Sequence, residues 1–144
     1  ERSLGARAAS ILAGNIMGPV AFSLAVADGS PAAVSIHAWA TCAAFGLHYI
    51  GTVPLVRSMI RGRRDPRWAV GSTLLHAAFT LCAAAAWWFD ALAIWPVLMW
   101  ALLTARAWVM PTISRKRARP ISPKLIGFSE LGWSLLLIIS LLIP

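Results

Sequence analysis

The side chains of this chain best able to do chemistry sit inside apolar runs. At about 100° per residue, His37, Thr41, His48 and Thr52 fall within a helical wedge of roughly 60°. Ser72, His76 and Thr80 form a second stripe of roughly 80° by the same count. A short basic turn joins the two stretches, so they should pack as an antiparallel hairpin. Counting about 1.5 Å per residue back from the turn brings His48 and His76 within roughly one helical turn of the same depth. Both stripes are expected to point inward, since polar groups facing lipid are costly. Imidazole there has three uses: hydrogen bonding to Ser and Thr hydroxyls, contact with a quinone, lipid or proton relay, and ligation of haem or a metal. The residues leave these alternatives open, and no cofactor is required by them. Cys42 lies roughly 140° round the helix from His37, which argues against a mixed Cys/His metal site. Neither Cys42 nor Cys82 stands in a CxxC or zinc spacing, so both read as small apolar residues and no metal site is expected.

A second candidate is an ion pair. Arg106 falls about one turn before the inner end of the fourth apolar segment and Glu130 about one turn into the fifth, so adjacent antiparallel helices would bring them to similar depth. Beyond that pair the acidic inventory is Glu1, Asp28, Asp65 and Asp90. No two of these carboxylates are spaced to share a divalent cation or to act as an acid/base pair. A P-loop, nucleophile elbow, HExxH and dinucleotide fingerprint are all lacking, so no catalytic residue is expected.

These side chains must be positioned by membrane helices. Of 144 residues, 59% are apolar and only 12% charged, and mean hydropathy is +0.73. That leaves too little polar surface to coat a soluble domain, which carries about 25% charged residues. Apolar segments at about 8–27, 35–59, 68–89, 91–110 and 125–143 are each long enough to cross roughly 30 Å of hydrocarbon as a helix. Period-two alternation is missing, which argues against a β-barrel. The expected fold is one all-α domain, a polytopic bundle of five transmembrane helices.

The net charge of +8 raises the question of nucleic acid, and position answers it. Arg57, Arg61, Arg63, Arg64 and Arg67 crowd the second connection, and Arg115, Lys116, Arg117, Arg119 and Lys124 the fourth. The connections at Asp28–Pro31 and Phe89–Asp90 carry none. Basic residues at alternate connections follow the positive-inside rule and predict an N-in, C-out arrangement, with no nucleic-acid partner. Trp39, Trp87, Trp88 and Trp95 near one set of helix ends, with Trp68 and Trp108 near the other, suit the headgroup level. Trp100 and Trp133 lie deeper, in ordinary packing roles. In the first helix Ser10, Gly14 and Gly18 form a strip of small residues for close helix packing, within the chain or against another subunit, and Asn15 is expected to seek a partner on a neighbouring helix.

ERSLGARAASILAGNIMGPVAF, the VRSMIRGR segment after HAWATCAAFGLHYIGTVPL, and RPISPKLIGFSELGWSLLLII together resemble the C-terminal portion of YwiC-like membrane proteins. The resemblance implies a bacterial inner-membrane protein with further membrane sequence upstream, which agrees with a chain opening at Glu1. ERSLGARAASILAGN also resembles helices of UbiA-type prenyltransferases, which bind magnesium and a diphosphate through two Asp-rich motifs. Here the basic turn offers Asp65 among arginines and no DxxxD. A lipid-phosphate site at Arg57, Arg61, Arg63 and Arg64 would survive that loss, because the guanidinium fork matches phosphate oxygens. The expected role is a non-catalytic accessory subunit or assembly factor among other membrane subunits and lipids. The alternatives are a UbiA-like prenyl-lipid binder and a haem- or quinone-contacting subunit using His48 and His76.

Overall fold

The structure is a computed structural model that describes residues 4–25, 36–118 and 121–143. Glu1, Arg2, the Asp28–Pro31 connection and Arg119 lie outside the described residues. Five helices are present among the described residues: α1 (Leu4–Ala25), α2 (Ile36–Met59), α3 (Pro66–Trp88), α4 (Ile94–Lys116) and α5 (Pro123–Leu142). No strand occurs among them.

Local chemistry sets several boundaries. Asp65 caps α3, its carboxylate accepting from Arg67 N at 2.9 Å, while Pro66 fills the first helical position where no N–H is needed. Ser122 and Pro123 repeat the device at α5. α3 ends in a Schellman turn, with Ala91 N donating to Ala86 O at 2.8 Å and Asp90 N to Trp87 O at 3.0 Å. Asp90 supplies the left-handed residue, with φ of 55°.

α4 runs past the expected end at residue 110. Pro111 forfeits one backbone hydrogen bond, yet the helix continues to Lys116. The continuation is held from outside: Ser114 Oγ donates to Met59 O at 3.2 Å, and Arg63 Nε donates to Ser114 O at 2.6 Å. Arg106 therefore sits deeper than expected, about 15 Å along the axis from the end of α4.

α2, α3, α4 and α5 are long and apolar enough to cross a membrane. α1 is a helix of 22 residues, with an apolar stretch at Ala9–Ala21 among the residues whose side chains are described.

α3 and α4 form the tightest pair, α2 packs on α3, and α5 lies against both α4 and α2. Phe79, Ala83, Met99, Trp100, Leu103 and Leu137 make one buried apolar cluster. Leu55, Met59, Ala107, Ile121 and Ile126 make a second toward the basic connections. Large apolar side chains also cover the outside, among them Leu74, Leu81, Trp88 and Phe128. A bundle apolar on both faces is matched to lipid rather than water.

The ends of the bundle are tied across helices. Arg63 bridges to the end of α4, donating also to Arg117 O, so the two basic connections meet at one end. At the other, the Nδ1–H of His37 donates to Ala91 O at 3.1 Å.

Candidate functional site

A belt of buried polar groups runs across the bundle and is organised around Trp100. Trp100 is fully buried, with ring centroids 6.4 Å from His48 and 6.2 Å from His76 and an edge-on contact of 5.5 Å with Phe79. His48 Nε2 hydrogen-bonds Ser134 Oγ on α5 at 2.9 Å. His76 faces the other way: its Nδ1–H donates to Ser72 O at 2.8 Å. Its Nε2 edge is pressed on α2, where a Cβ added to Gly51 would stand 3.0 Å away. Gly51 is what lets α2 and α3 close over the imidazole. One level along, Thr80 Oγ1 and Thr104 Oγ1 meet at 2.8 Å, each also within reach of its own helix at His76 O and Trp100 O. With one proton apiece, the hydroxyls form a directional chain that links α3 to α4.

Arg106 completes the belt. It pairs with Glu130 and lies over the Trp133 ring at 5.1 Å. Glu130 and Ser134, four apart on α5, present one face to α4 and α2. His48 Nδ1, Ser72 Oγ, Arg106 Nε and Nη1, and Glu130 Oε2 have no hydrogen-bond partner among the described residues. In a low dielectric each such group costs about 1–3 kcal/mol, more when charged. The belt is therefore a costly feature, with buried donors and acceptors left over.

The histidines share Trp100 but do not bond to each other. The facing stripes of α2 and α3 are only partly realised, because Thr41 turns toward α1 and Thr52 Oγ1 donates to Tyr49 O at 2.8 Å. A haem bound through His48 and His76 does not fit: one Nε2 is bonded to Ser134 and the other lies against Gly51. No group of three or more His, Cys, Asp or Glu side chains stands ready for a metal among the described residues.

The four arginines of the proposed lipid-phosphate set do not converge. Arg57 stacks on Trp68 with its guanidinium carbon 3.9 Å from the ring centroid, and Arg63 is spent on α4. Arg61 and Arg64 are exposed. Gly62 fixes the Trp68 ring, since a Cβ there would lie 2.7 Å from Trp68 Cδ1.

On α1 the small-residue strip divides. Gly18 meets Cys42 Sγ on α2, with 3.2 Å to an added Cβ, whereas none of the described residues lies within 4 Å of one at Gly14. Ser10 and Asn15 satisfy themselves on their own helix, at Ala6 O (3.0 Å) and Ile11 O (2.9 Å). The expected inter-helix partner for Asn15 is replaced by a packing contact with Gly46, which offers no side-chain group to bond. Gly14, Gly18, Thr41, Tyr49 and the end of α5 line an open crevice of about 490 Å³.

Trp100, Thr104 and Ser134 are the belt members that helix-face reasoning passed over. Ser134 carried a signal, one turn beyond Glu130 on the same face. The depth of Trp100 was legible from its place in the fourth segment, but its contacts with His48, His76 and Phe79 were not. Comparison with family models, curated proteins and solved structures gives no match to this chain. The fold and site together define a helical membrane bundle with a charged, hydrogen-bonded interior.

Proposed function

We propose that this chain is a non-catalytic subunit or assembly factor of a larger complex in the bacterial inner membrane, and that α1 is the helix that meets the partner. The observation that carries the reading is the half-used strip of α1. Gly18 is closed against α2, while Gly14 faces open space beside a crevice. A flat backbone strip is what a second transmembrane helix packs on. The basic end of the bundle is in this reading cytoplasmic, N-in and C-out. The belt around Trp100 serves in this reading to fix which helices pair and at what height.

Extraction from native membranes in mild detergent, followed by native mass spectrometry, tests the proposal. Stoichiometric partner chains are expected, and Gly14→Leu should release them without lowering the chain's own thermal midpoint. A monodisperse monomer from native membranes, or partners indifferent to Gly14→Leu, would overturn it.

A further inference from the structure

The last turns of α4 depend on a side chain from another connection. Beyond Pro111 the run Thr112, Ile113 and Ser114 ranks below Ala, Leu and Met in helix propensity. Pro111 has no N–H to offer Ala107 O, so the backbone ladder is thinned where this segment joins the rest of the helix. A stretch this short does not hold itself helical in isolation. Inside α4 it is tied by Thr112 Oγ1, which donates to Trp108 O at 2.8 Å, a bond that reaches only its first residue. The carbonyls at its far end have no intrahelical partner. Arg63 supplies one, with Nε donating to Ser114 O at 2.6 Å and Nη2 to Arg117 O. Ser114 is fully buried and adds its own Oγ bond to Met59 O at 3.2 Å.

The turn that carries Arg63 has supports of its own. Gly62 N donates to Arg57 O at 2.7 Å, and Asp65 N to Gly62 O at 3.0 Å. Trp68 packs on Gly62 and carries the stacked Arg57, while Asp65 caps α3. None of these contacts involves α4. The dependence therefore runs one way: the turn keeps its shape without α4, whereas the end of α4 leans on the turn. We infer that Arg63 is a latch with two positions. Docked on Ser114 O and Arg117 O, it keeps residues 112–116 helical, and the connection to α5 begins at Arg117. Released, it lets α4 end near Pro111, and the connection begins at Thr112, with Arg115 and Lys116 moved from a fixed helix onto free backbone. α5 is not carried along, because Ile121 and Ile126 stay packed with Leu55 and Met59. The device changes the shape of one basic connection while the buried belt and the helix contacts below it stay as they are.

The test is hydrogen–deuterium exchange, read by mass spectrometry on the chain in detergent micelles. Arg63→Gln removes the guanidinium fork and should speed exchange of the amides at 114–117 by about tenfold, the worth of one charge-assisted hydrogen bond. Amides at 60–65 should exchange as before, and the thermal midpoint should stay within a few degrees of the parent. Arg64→Gln, in the same turn, should leave 114–117 unchanged. Pro111→Ala restores the missing backbone donor, so in the Arg63→Gln background it should return exchange at 114–117 toward the parent rate. A purely packing role for Arg63 would not be rescued in this way. Unchanged exchange in Arg63→Gln, an equal rise at 60–65, the same rise in Arg64→Gln, a collapse of the thermal midpoint, or no rescue by Pro111→Ala would overturn the proposal.

Discussion

Glu130→Ala is the sharpest perturbation of the buried belt. Glu130 is the acidic partner of Arg106, which is 5% exposed and packed over Trp133. The guanidinium is held inside the bundle, so removing Glu130 strands a buried charge. Breaking a buried pair in this way costs about 3–5 kcal/mol. An arginine at a helix centre costs about 2.5–3.5 kcal/mol on insertion scales. The two ranges overlap near about 3 kcal/mol, a factor of roughly 150 in the folding equilibrium. Replacing both partners, as Arg106→Met with Glu130→Leu, removes the charge with the bond and should cost far less than Glu130→Ala alone. Reversible unfolding in bicelles, run as a double-mutant cycle, measures both quantities. A loss below about 1 kcal/mol for Glu130→Ala, or a double variant no better than the single, would refute the assignment of Arg106 to a dry interior.

Three further expectations follow from close approaches and backbone geometry. Gly51→Ala drives a methyl to 3.0 Å from the His76 ring and should cost about 1–3 kcal/mol of stability by unfolding titration, shifting the His76 imidazole resonances as well. Gly62→Ala cannot be housed without moving Trp68, so it should unstack Arg57 and change the Trp68 emission measured against a Trp68→Phe reference. At Asp90, where φ is 55°, Asp90→Gly should be neutral or mildly stabilising, whereas Asp90→Val should cost about 1–2 kcal/mol, both read from thermal midpoints.

The helical membrane bundle was legible because burial in lipid writes itself into composition: long apolar runs, and charge pushed into the connections. The limit of that legibility shows at Pro111, where a local breaker is outvoted by hydrogen bonds from α2 and Arg63 that no local window contains. For the belt, helical periodicity told which face His48 and His76 occupy but not which helix each would meet. His48 finds α5 and Thr80 finds α4, pairings set by the packing of four helices together. The arginines were legible as charge and illegible as contacts, since stacking on Trp68 or reaching the end of α4 depends on how the turn folds back.

The pairing of Arg106 with Glu130 and of His48 with Ser134 also sets an order of events during synthesis. Both bonds close on α5, the last of these five helices to leave the ribosome. At about 5–20 residues per second, Glu130 follows Arg106 by roughly 1–5 s. Through that interval α4 carries an unneutralised guanidinium and α2 an unpartnered imidazole, so neither can settle in bulk lipid at its final depth. Until α5 arrives, α2 to α4 therefore lack the contacts that hold them at their final depth. The bundle then closes as one unit rather than helix by helix.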